Sequence, residues 1–180
     1  TCGTVRSLLD ALLPLFLRSV FGFSVTAISN AMLAAALLFV VGSTGGGFLL
    51  AQRPGATYPA LGVCGVLSAL VTAALLLPTT GFGVSALFCA YFLISAVTGV
   101  AVTSALEERG RLLGAVDDVM ALQVFFWTLG FTAGGLLSVF ATAGAATAAR
   151  QQLTLAVLGL VNLLYTFAFF GFARPKTNVA

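Results

Sequence analysis

The chain has 180 residues, of which 60% are hydrophobic and only 7% charged, with a mean hydropathy of +1.12. Soluble domains keep about a quarter of their residues charged, so this composition excludes a water-soluble globule and makes lipid the solvent. The net charge of +3 is loop charge and not the footprint of a nucleic-acid binder. The absence of histidine removes b-type haem ligation, histidine proton relays and most zinc or copper sites. Cys2, Cys64 and Cys89 are scattered, with no Cys-x-x-Cys, which predicts packing residues and no disulfide framework.

A bilayer crossing takes about 20 apolar residues, and the chain has room for six with short connections. The apolar runs are continuous and do not alternate, so helices are expected and not a barrel. The predicted fold is an all-α membrane protein, a single bundle of about six transmembrane helices over 1–180. The first residue is Thr1 and not methionine, so a processed product or a fragment is expected.

The first segment, 7–25, carries Asp10 and Arg18, and Pro14 predicts a kink. A charge deep in a bilayer costs about 2.5–3.5 kcal/mol on insertion scales. Asp10 is therefore expected to face protein or a water cavity, or else to sit at the interface near a frayed helix end. The second segment, 27–51, holds AMLAAALLFVV. Gly42 and Gly46 have small-xxx-small spacing, which lets two helix backbones approach closely or lets one bend. Asn30, near its start, reads as a cavity residue or a helix cap. The third segment, 58–77, has Pro59 in its first turn and Pro78 just beyond. The fourth, 84–105, has a small face at Ser95 and Gly99.

ALEERGRLLGAVDD follows, the most charged stretch, and reads as a loop in water or headgroups. In the fifth segment, 112–141, residues Met120, Gln123, Trp127, Gly130 and Gly134 fall on one helix face. That stripe suits a cavity lining or a helix-packing face with Gln123 bonded to a neighbour. Asp117 and Asp118, about two turns into this segment, are a second choice of intramembrane acid, or simply acids favoured by a helix N-terminus. The sixth segment, 153–173, clusters Asn162, Tyr165 and Thr166 mid-helix.

Six spans place Arg6, Arg53, Arg109, Arg111, Arg174 and Lys176 on one side and only Arg18 and Arg150 on the other. That bias predicts both termini in the cytoplasm.

Between the second and third segments lies GGGFLLAQRPGATYP. The stretch resembles the loop after the second helix of a six-helix half in the major facilitator superfamily, roughly G-x-L-A-D-R-x-G-R. Leu50, Ala51, Arg53 and Gly55 match. Phe48 stands at the first glycine (Gly47 is one residue early), Gln52 replaces the acid, and Ala56 or Thr57 replaces the last base. Glu108, Arg109, Gly110, Arg111 and Gly114 resemble the family's loop between the fourth and fifth helices of a half. Gly130, Gly134 and Gly135 resemble the small-residue helix that follows. Phe21, Gly22, Phe23 and Ser24 resemble its first-helix exit.

The resemblance implies half of a secondary carrier working by alternating access, with the C-terminal half favoured. Gln52, the short tail and the lack of an arginine in the fourth segment, where Tyr91 stands near that place, point that way. It implies a small-molecule substrate, no cofactor, and a second six-helix half as partner, whether more sequence, a second copy or another subunit. The implied cavity candidates are Asp10, Asn30, Gln123, Trp127, Asn162 and Tyr165, with Asp10 as the proton-binding candidate. Gln52, Arg53, Gly55, Glu108, Arg109 and Arg111 are gating-loop candidates. For Arg53 the alternative is plain positive-inside anchoring.

The competing expectation is a structural, non-catalytic subunit of a larger membrane complex, which needs packing faces and no site. Convergence of polar residues on one cavity, against their scatter over several surfaces, separates the two. An enzyme is not expected: there is no nucleophile–base pair, metal cluster or phosphate loop. Gly45–Gly47 lacks the Lys-Ser/Thr of a nucleotide loop.

Overall fold

A computed structural model describes residues 2–53, 55–75, 77 and 80–142, together with Thr154, Val157, Leu160, Val161, Leu164, Phe167 and Ala168. Its elements, all helical, are α1 (Cys2–Phe21), α2 (Val25–Gln52), α3 (Thr57–Ala74), α4 (Gly81–Leu113) and α5 (Val116–Thr142). Four of them, α2 to α5, contain stretches long and apolar enough to cross a membrane. The expected sixth helix at 153–173 lies largely outside the described residues, although the seven described there are helical.

Helix ends follow local chemistry. α1 runs through Pro14 without a break and stops at Gly22, whose φ is +65°. The Phe23 N–H donates to the Leu17 carbonyl at 3.2 Å. Ser24 then caps α2, its Oγ accepting from the Ala27 N–H at 3.2 Å. That corrects the expected cap: Asn30 sits in the second turn and is exposed. Thr80 caps α4 in the same way, accepting from the Gly83 N–H at 3.2 Å.

The largest correction concerns ALEERGRLLGAVDD. It is not a loop, because α4 continues through it to Leu113 and has 33 residues. Ala, Leu, Glu and Arg are strong helix formers, and Arg111 pairs with Glu107 one turn earlier. At 1.5 Å per residue α4 is about 50 Å long, well beyond a hydrocarbon core of about 30 Å. Its charged end therefore stands clear of the apolar layer. The helix ends where Gly114 takes a φ of +65°, a left-handed conformation that glycine adopts at little cost. The Gly114 and Ala115 N–H groups close on the carbonyls of Arg111 and Gly110 at 3.2 and 2.9 Å. Asp117 and Asp118 consequently fall in the first turn of α5 and are exposed, not two turns inside a span.

α2 and α4 form the most extensive seam. A Cβ placed on Gly42 meets the Leu93 carbonyl oxygen at 2.7 Å and the Ala96 Cβ at 2.9 Å, and one on Gly46 meets Val97 at 3.3 Å. The small-residue spacing of α2 is thus a close helix contact, as expected. Gly42, Gly46 and Gly47 meet Leu93, Val97 and Val100 in rising order, so α2 and α4 run parallel. The expected small face of α4 plays no part at Gly99, which has nothing near it.

α1 makes its main contact with α5, and α4 also packs on α3 and α5. Leu8, Leu9, Leu12, Leu13, Phe16 and Leu17 of α1 are all buried and join Val84, Phe88, Tyr91 and Phe92 of α4 in one core. Outward, by contrast, α2 and α5 present Leu33, Leu37, Val40, Phe48, Val124, Phe125 and Leu136, all exposed. Apolar side chains on both the inside and the outside are what a lipid solvent allows. Four apolar helices of spanning length are compatible with a multi-pass integral membrane protein.

Candidate functional site

The position of Arg6 was misread from sequence. It is not a loop base; it lies within α1, its guanidinium carbon 4.0 Å from the centre of the Phe39 ring and 5.0 Å from that of Phe92. Phe39 has fourteen residues of α2 before it and thirteen after. Phe92 is likewise near the middle of the uncharged part of α4, Gly81–Leu106. Arg6 is therefore level with the middle of two spanning helices. Asp10, one turn along α1, is its ion-pair partner, with Oδ2 3.8 Å from Nε. Asp10 is half-buried beside Arg6 on the same helix.

The magnitudes explain the company. An isolated arginine at this depth costs about 2.5–3.5 kcal/mol on insertion scales. A ring face returns about 0.5–2 kcal/mol, least where water still reaches the cation, which leaves a deficit for Asp10 to offset. The pair itself is loose. At 3.8 Å it is beyond hydrogen-bond range, and no hydrogen bond from the Arg6 guanidinium occurs among the described residues. The side chains remain 21% and 28% exposed, so a small molecule has surface of both to touch. An Arg-x-x-x-Asp spacing was legible as an i,i+4 pair; assigning the residues before Ser7 to the aqueous side hid it.

The α5 stripe packs at Gln123 and Gly134 and is exposed at Trp127. The Gln123 amide nitrogen donates to Thr103 Oγ1 on α4 at 2.8 Å. Its Oε1 is buried without a partner among the described residues. Gly134 is buried, and the neighbouring Gly135 faces Ser7 of α1. Trp127 stands 38% exposed. Thr103 lies eleven residues beyond Phe92, so the Gln123 contact is about 16 Å along α4 from Arg6. Asn30 is exposed, and Asn162 and Tyr165 lie outside the described residues. The described cavity candidates thus do not converge on one point.

The gating candidates do share one end of the bundle. The loop after α2 closes with the Arg53 N–H on the Leu50 carbonyl and the Ala56 N–H on the Arg53 carbonyl, at 3.2 and 3.0 Å. Gly55 there has a φ of +90°. Gln52, Arg53 and Gly55 are exposed, as are Glu108, Arg109 and Arg111. Because α2 and α4 are parallel, both sets lie at the same end. Leu61, Ala101 and Ala105 bury a small core there with Leu50 and Tyr58. The opposite end carries the Gly22–Ser24 turn, where Phe23 lies on Gly81. Among the described residues the bases at the ends of the bundle are Arg53, Arg109 and Arg111 at one end and Arg18 at the other.

No family model, curated protein or solved structure matches the chain.

Proposed function

We propose that the chain is one six-helix half of a secondary carrier of the major-facilitator kind, moving a small solute by alternating access. The observation that carries this reading is the exchange of helix partners. Short connections normally leave consecutive helices side by side. Here α1 packs chiefly on α5, and α4 on α2. If α1–α3 is one repeat unit and the second begins at α4, the pair α4–α2 maps onto the pair α1–α5. That is the pattern of two inverted three-helix repeats within a half of this carrier class. The Arg6–Asp10 pair supports it as well, since ionisable residues at mid-depth are unusual without a solute or ion to serve. Such a half works against a second six-helix unit around a midplane site. Its cytoplasmic end is the one holding Arg53 and Arg109.

A structural subunit is the second reading, favoured by the scatter of Asn30 and Gln123. Proteoliposomes holding the protein decide between them. With a panel of labelled small solutes, the carrier reading expects saturable uptake of at least one that falls in Arg6→Gln. Uptake of every solute equal to that of empty liposomes contradicts it.

A further inference from the structure

We infer that the Arg6 guanidinium is the anchor of a binding site for a small organic carboxylate, with Asp10 as the internal group that the ligand displaces. The carrier reading supplies the term substrate; the site itself stands on its geometry. Three features point to this ligand class. First, Arg6 offers a planar fork of N–H groups that makes no hydrogen bond among the described residues. A purely structural arginine at this depth would be expected to have its donors taken by carbonyls or by a close bidentate carboxylate. Second, its one charged partner among the described residues is a carboxylate held at 3.8 Å, so a ligand carboxylate that reaches both terminal nitrogens makes a better bond than the resident one. Third, Phe39 and Phe92 flank the cation, 6.3 Å apart in an edge-to-face pair; Phe92 is buried behind it, and the half-buried Phe39 is the apolar neighbour a ligand body can touch.

Among the described residues of the neighbouring helices, no further charge comes near the Arg6–Asp10 pair. α2 carries no ionisable side chain. On α4 the nearest charged residue, Glu107, is fifteen residues past Phe92, about 22 Å along the axis, and only Tyr91 and Cys89 lie close in sequence. On α5, Asp117 is eighteen residues from Gly135, the glycine that faces Ser7, which is about 27 Å.

The test is equilibrium binding of labelled benzoate, with the uncharged isostere benzamide as comparison, to the detergent-purified full chain. Benzoate is expected to bind and benzamide to bind about 10–100-fold more weakly, the range for losing a charged hydrogen-bonded contact. Arg6→Gln is expected to lower benzoate affinity by a similar factor, and Arg6→Lys to restore little of it because the fork is lost. Asp10→Asn is expected to tighten benzoate by removing the competing carboxylate. Equal binding of the two ligands, an unchanged Arg6→Gln, or an Asp10→Asn that weakens binding as much as Arg6→Gln overturns the site. Should Arg6→Gln fail to fold, the exchange Arg6→Asp with Asp10→Arg keeps both charges and moves the fork one turn from Phe39. It is expected to fold and bind benzoate about 10–100-fold more weakly; wild-type affinity in it overturns the site. Benzoate binding without flux leaves this site standing and removes the carrier, whereas saturable flux of an uncharged solute without benzoate binding does the reverse.

Discussion

Gly42 of α2 lies so close to Leu93 of α4 that a Cβ on it would stand 2.7 Å from the Leu93 carbonyl oxygen. Backbone cannot retreat as a flexible side chain does, so this contact fixes the parallel seam. Gly42→Val is expected to destabilise the bundle by about 1–3 kcal/mol, the usual cost of overpacking. Gly45→Ala, with nothing within 4 Å of its Cβ, is expected to be neutral or stabilising by up to about 1 kcal/mol. A thiol-reactive dye that reports the exposure of buried Cys64 on heating, in a background with Cys2 and Cys89 replaced by Ser, measures both. Equal melting of the two variants would show that the seam is not tight.

The parallel course of α2 and α4 gives a topological prediction. In a background without native cysteines, Arg53→Cys and Arg109→Cys are expected to react with an impermeant thiol reagent from the same side of sealed vesicles, and Ser24→Cys from the other. Labelling of positions 53 and 109 from opposite sides removes the architecture.

Gln123 and Thr103 are expected to couple weakly. Interhelical hydrogen bonds in membranes average about 0.6 kcal/mol, with a maximum near 1.7. A double-mutant cycle of Gln123→Leu and Thr103→Val should fall in that range, with the double variant no less stable than Thr103→Val alone. An unfolding midpoint that moves with Gln123→Leu but not with Thr103→Val would assign the amide another partner.

Trp127 is the single tryptophan of the chain, so its fluorescence is unambiguous. Where the bundle stands alone in lipid, brominated acyl chains reach this exposed ring and quench it. If a second six-helix unit covers this face, quenching is expected to be weak in the assembled carrier and to rise on dissociation. Strong quenching in both states would place Trp127 outside the interface between halves.

Much of this was legible in the chain and some was not, for physical reasons. Glycines spaced by four within an apolar run have few uses other than close helix contact, so Gly42 and Gly46 announced their seam. The charged stretch at Glu107–Arg111 misled because charge marks exposure and not irregular backbone. Its residues are good helix formers, and only Gly114 signals the stop. Arg6 was misplaced because a base near an apolar segment resembles a topology signal, and the rings that receive it, Phe39 and Phe92, are distant in sequence. Asp10 stood out in the sequence as an ionisable group inside an apolar run, yet its partner needed the helix to be drawn. The α5 stripe shows the limit of periodicity: Gln123 and Trp127 share a face by spacing, but one is held by Thr103 and the other is exposed.

Accessibility at mid-depth tests the carrier reading most directly. Ala11→Cys, beside Asp10 and half-buried, in a background without other cysteines, is to be probed in reconstituted vesicles by impermeant thiol reagents added from either side. Alternating access predicts reaction from both sides and a ratio of the two rates that shifts when a transported solute is added. Reaction from one side alone, or from neither, with rates that no solute changes, would contradict the account and leave a structural subunit.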